Sequence, residues 1–275
     1  MIVAVAFVAI LSLGFPISSV AAATDLSTAS IEALIDDLTL LEAPAPGLDG
    51  TALFIAFMAD NWIPRFNGGI LGSATPKIPP QMRELVRRGL PALPLLIEHL
   101  DDDRPTRLSV VIDSIFMWGY FSDEYDPRYG PVPRKLCNPS CMEKDLKAAP
   151  DAASPFKRTY VVRVGDICYV LVGQIVNRDL VAVRYQASGG LIINSPLEAP
   201  GLIERVKADW AGLDAPAHEA SLLADIRTLD QVWQFGPAFA RLRFYYPVAY
   251  AALRDDDLRK REAFETDEKA HAAHE

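Results

Sequence analysis

Apolar residues recur at helical spacing along most of this chain. Ile31, Leu34, Ile35 and Leu38 fall at i, i+3, i+4 and i+7 behind Ser30, with Asp36 and Asp37 on the other side, and predict a helix within Ser30–Leu41. Met82, Leu85, Val86 and Leu90 mark a second helix from Pro80, with Gly89 placed to supply a left-handed stop. Pro91 suits the first turn of a third helix, where its missing N–H costs nothing. Leu93, Leu96, Ile97 and Leu100 line that helix and Asp101–Asp103 closes it. The same spacing through Leu108, Val111, Ile112, Ile115 and Phe116 predicts a helix over Arg107–Trp118. Further on, Leu202–Leu213 and Ala217–Phe235 read as helices, the latter with Asp214 as its cap. Gly236-Pro237 starts another, and Pro247 restarts it.

Two stretches break the pattern. Ser122–Lys157 carries prolines at 127, 131, 133, 139, 150 and 155 and reads as a long irregular insertion. Thr159–Asn194 mixes periods: Tyr160–Val164, Leu180–Gln186 and Gly190–Ile193 alternate like strands, while Val164, Ile167, Cys168, Leu171 and Ile175 keep helical spacing. A helix is favoured for 167–177 with Asp166 as N-cap, flanked by pieces of a small β-ribbon near 159–193. From Arg254 onward 13 of 22 residues are charged, so the stretch reads as a solvated helix end that frays into a charged, disordered tail over 255–275.

The run RELVRRGLPALPLLIEHLDDD combines a short helix, a Gly-Leu-Pro break and a leucine-rich second helix. Over about residues 81–103 it resembles a HEAT-type repeat. That resemblance implies stacked helical hairpins, each covering its neighbour's apolar face. The expected fold is therefore mostly α, HEAT-like and α-solenoid-like, in one domain over 24–254 with the insertion at 122–158. The string VGDICYVLVGQIVNR resembles segments of exported bacterial proteins, a likeness that implies no activity.

The N-terminus bears on compartment. An apolar run over Ile2–Leu13, a break at Gly14 and Pro16, and small residues at Ala21 and Ala23 match a secretory signal peptide over 1–23, with Thr24 as the mature start. No Lys or Arg precedes the run. An uncleaved membrane anchor is the rival reading, and Pro16, Ser18 and Ser19 oppose it. The expectation is a periplasmic or secreted protein with no membrane anchor after cleavage. In an oxidising compartment Cys137 and Cys141, around Asn-Pro-Ser, read as a small disulfide loop, and Cys168 as a buried apolar residue.

Charge and motifs narrow the function. With 27 Lys+Arg against 36 Asp+Glu the net charge is −9, and no basic stripe is visible, which argues against nucleic acid. The chain has no G-x-S-x-G elbow, P-loop or H-E-x-x-H, so no catalytic residue, cofactor or metal is assigned. Asp166, Gln174, Asn177, Arg178, Arg184, Tyr185 and Gln186 form the main polar constellation. In one reading Arg178 and Arg184 clamp a carboxylate or phosphate in a groove with Gln174, Asn177 and Tyr185. In the plainer reading these residues cap the helix and pair internally. Tyr120–Tyr129 sets three carboxylates among three tyrosines, suited to a cation or a sugar or simply to an exposed loop. The function expected is that of a non-enzymatic interaction protein presenting a helical surface to a protein partner. The alternatives are a small anionic-ligand binder and an enzyme using Asp123, Glu124 or Asp166.

Overall fold

A computed structural model describes residues 26–43, 48, 57–60, 78–111, 159–185, 191–254 and 256–272. Ser30 opens α1 (Ile31–Asp36) by accepting the Ala33 N–H at 3.1 Å, and Leu34, Ile35 and Leu38 face the core as expected. α2 (Pro80–Arg88) buries Met82, Leu85 and Val86 and stops at Gly89, whose φ is 60°. A Cβ at Gly89 would also strike the Tyr245 ring at 2.8 Å, so backbone and packing both select glycine. A 3-10 turn at Leu90–Ala92 leads into α3 (Leu93–Glu98), which buries Leu93, Leu96 and Ile97.

The helix expected over Arg107–Trp118 is overturned as far as Val111. β1 (Pro105–Val111) pairs antiparallel with β2 (Thr159–Arg163), Val110 opposite Tyr160 and Val111 opposite Thr159. Thr106, Leu108 and Val110 are buried while Arg107 and Ser109 are exposed, a period of two that coexists with the helical spacing. Pairing with β2 favours the strand. Between Pro105 and Ser109 the register shifts, and there the Thr106 hydroxyl donates to the Val162 carbonyl at 2.8 Å.

α4 (Val164–Val176) follows β2 directly; it starts three residues before the helix expected at 167–177 and ends one residue short of it, with Asn177 as its cap. β3 (Val183–Tyr185) and β4 (Leu191–Ile193) form a second antiparallel ribbon, with Arg184 opposite Ile192 and Tyr185 opposite Leu191. Four helices then run to Ala251: α5 (Pro200–Trp210), α6 (Ala215–Thr228), α7 (Val232–Tyr245) and α8 (Pro247–Ala251). Asp214 caps α6 as expected, accepting the Ala217 N–H at 2.9 Å. The break between α6 and α7 lies at Leu229–Gln231, not at Gly236-Pro237, and Pro237 sits inside α7. Burial of Phe235, Ala238, Phe239 and Leu242 on one face offsets the backbone bond that the proline forgoes.

The tail expected to be disordered is instead largely α9 (Asp256–Ala272), packed on α6 and α7. Charge density predicted solvation, but the charges find partners: Arg227 holds Asp257 at 2.9 Å and Arg243 holds Glu268 at 2.7 Å, while Phe264 is buried.

The described part is thus mostly helical with two short ribbons, and α4 lies at its centre with α2 and α3 against it. Among the described residues no helix is long and apolar enough to cross a membrane. The 1–23 leader, the 122–158 insertion, Asp123, Glu124, Gln186 and the Cys137/Cys141 pair lie outside the described residues.

Candidate functional site

All thirteen residues of α4 are buried, so its polar members must be satisfied by the protein itself. The expected constellation divides between the helix's two ends, roughly 16 Å apart along the axis.

At the C-terminal end Asn177 takes the left-handed conformation, φ 59° and ψ 50°, that lets the chain turn off the helix. The Arg178 N–H then returns to the Gly173 carbonyl at 3.0 Å. Gly173 is needed for this turn, since a Cβ would come within 2.6 Å of the Arg178 carbonyl oxygen. Asn177 Nδ2 and Arg178 Nη1 converge on Asp225 Oδ2, at 2.9 and 3.0 Å. Arg178 also donates to Ser221 Oγ at 3.1 Å and lies 5.0 Å over the Trp210 ring. Gln174 turns elsewhere: its Oε1 accepts from the Met58 N–H at 3.0 Å, and its carbonyl accepts from the buried Arg241 Nε at 2.6 Å. The structure therefore brings Asn177 and Arg178 together and sets Gln174 apart. Arg184 and Tyr185 lie on β3. A ligand carboxylate at Arg178 Nη1 would have to compete with Asp225 for it.

His218 completes this end. Its Nε2 donates to the Ile175 carbonyl at 3.0 Å, which leaves Nδ1 to accept from the Tyr246 hydroxyl at 2.9 Å. Burial, together with the Arg241 and Arg178 charges, disfavours a second proton and lowers the pKa to about 4, against the opposing bond to Ile175. The sequence offers His218 only as one of two histidines able to serve a triad, and it gives no motif for Ser221 or Asp225. Their spacing of three and four, beside Leu222 and Ile226, places them on the inward face of α6 and was the available cue.

At the N-terminal end Asp166 is the third residue of α4, not its N-cap. The cap is extended Arg163, whose N–H donates to Asp166 Oδ2 at 2.8 Å. Tyr160 OH donates to the same oxygen at 2.9 Å, Arg163 Nη2 donates to Tyr160 OH at 2.8 Å, and Arg163 also reaches Glu198 at 2.9 Å. A hydrogen-bonded line thus runs from half-exposed Glu198 to fully buried Asp166. Burial pushes the carboxyl above its ordinary range, although Ser195, the Arg163 N–H and Tyr160 all favour its charged form. Asp166 Oδ1, Arg163 Nε and both amide atoms of Asn194 have no hydrogen-bond partner among the described residues. This end can hold a proton in the interior, and the other end is closed by its own ion pair. Compared with protein-family models, curated proteins and solved structures, the chain matches none.

Proposed function

We propose that this protein is an exported, non-enzymatic interaction module that binds a protein partner through its outer helical surface, with α2 and α3 forming a HEAT-like hairpin within it. The observation that carries this reading is an open groove of about 390 Å³ between the chain after α1 and the start of α2. It is lined chiefly by Leu38, Leu40, Leu41, Ile78, Pro79 and Pro80, with Asp37, Glu42 and Gln81 adding polar groups. Leu40 is 49 % exposed there, apolar surface that a partner's short apolar segment would cover. The commitment of Arg178 to Asp225 supports the same reading, because it removes the most direct anion clamp.

The test is a photocrosslinking amino acid placed at Leu40 or Gln81 in the full chain, in cells, with Ala220 on α6 as the control position. A partner trapped from both groove positions and not from Ala220 is expected. Only monomer at Leu40 and Gln81, with a Tm rise on anion addition that is abolished by Arg178→Ala, would instead establish the ligand-binding alternative.

A further inference from the structure

α9 is an unusual helix to find docked. Of its seventeen residues, Phe264 is the large apolar side chain that is fully buried, and Leu258 is 39 % exposed. Phe264 stacks on Phe239 at 5.5 Å with the rings 16° apart, under the Arg243 guanidinium at 5.4 Å. Charged contacts hold the rest. Arg227 grips Asp257, Arg243 grips Glu268 through Nη1 and Nη2, and Lys260 Nζ donates to the Ile226 and Leu229 carbonyls at the end of α6, at 2.8 and 2.6 Å. Several of these groups remain open to solvent, Arg227 at 59 % and Arg243 at 33 %, so water and salt compete for them. An element with so little apolar burial opens at a lower free energy than the domain that carries it.

Beneath α9 lies a seat built by α6, α7 and α8: an aromatic floor of Phe235, Phe239 and Tyr250 with a cationic rim of Arg227 and Arg243. Asp60 also pairs with Arg243, at 2.9 Å, which leaves the Arg227 side of the rim as the more cationic part of a seat matched to a helix that carries acids around one aromatic anchor. We propose that α9 is a releasable strap occupying a helix-docking seat, and that the partner supplies a helix of α9's own pattern. That pattern is an acid, an aromatic residue seven positions on and a second acid four beyond, as in Asp257, Phe264 and Glu268. The proposal rests on the reading of the protein as an interaction module and names the partner's chemistry at a second surface, away from the Leu40 groove.

The test uses the full-length chain and a labelled peptide spanning residues 256–272 at low ionic strength. The wild-type chain binds the peptide weakly, because its own α9 competes at high effective concentration. Phe264→Ala in the chain loosens α9, and the peptide then binds about tenfold tighter, falling off with added salt. A peptide carrying the same Phe264→Ala change does not bind. Should Phe264→Ala fail to fold, Glu268→Lys, which reverses a half-exposed charge, serves in its place. A folded variant chain that binds the peptide no better than wild type overturns the strap and leaves the Leu40 groove reading to its own crosslinking test.

Discussion

α4 and α9 are held in opposite ways. α4 is apolar and buried on every side; Gln174 accepts from the distant Met58 N–H, while Asp166 is held locally by Tyr160 and the Arg163 N–H. α9 is highly charged, touches its neighbours along one face, and is fixed by ion pairs, a lysine cap and one aromatic plug. The first can leave its place only by opening the molecule. The second can leave alone. Burial of apolar area is cooperative and insensitive to salt, whereas half-exposed ion pairs contribute little each and are screened. That contrast separates the part of the molecule that maintains the fold from the part most loosely attached to it.

The largest effect should come from α4. Leu171→Ala removes a fully buried side chain and is expected to cost about 4 kcal/mol in chemical denaturation, with one cooperative transition retained. A loss below about 1 kcal/mol would mean that α4 is not the centre of the core.

Acid comes next, through His218. Its folded pKa of about 4 lies below the ordinary 6.5, so its contribution is whole above pH 6.5 and is lost as pH falls toward 4. About 3 kcal/mol is at stake. Denaturation midpoints across that window should drop for wild type, and His218→Gln should flatten the slope.

Phe264→Ala should cost less than Leu171→Ala, about 2 kcal/mol, even though both side chains are fully buried. The loss cannot exceed what docking α9 contributes, because past that point the helix simply undocks. A loss equal to that at Leu171 would erase the distinction between the two helices.

The smallest effect is expected at Asp166. Its carboxyl is raised by burial, so its contribution runs opposite to that of His218: stability falls as pH rises above the ordinary carboxyl value of 3.8. Asp166→Asn keeps an acceptor for Tyr160 and Arg163 and should change stability at pH 7 by less than about 1 kcal/mol while removing that slope. Measuring stability of the variant from pH 4 to 8 checks both statements.

Much of this was legible in the residues. Ser30, Gly89 and Asp214 mark helix ends because each solves a local problem, capping or a left-handed turn, that needs no tertiary context. The spacing of Val164, Ile167, Cys168, Leu171 and Ile175 located α4, since a fully buried helix still repeats every 3.6 residues. The misses share a cause, which is a distant partner. Leu108 and Val110 fit a helix or a strand until β2 pairs with them from beyond residue 158. The charges of α9 look solvated until Arg227 and Arg243 meet them. In the candidate site, Asn177 and Arg178 were found together, but their common partner Asp225 lies on α6 and shares no local pattern with them.

Hydrogen exchange on the full-length protein at low and high salt tests the contrast between the two helices most directly. The account predicts that α4 amides exchange only through global unfolding at both salt concentrations, while α9 amides exchange faster and accelerate further when salt is added. Protection of α9 equal to that of α4, unchanged by salt, would contradict it.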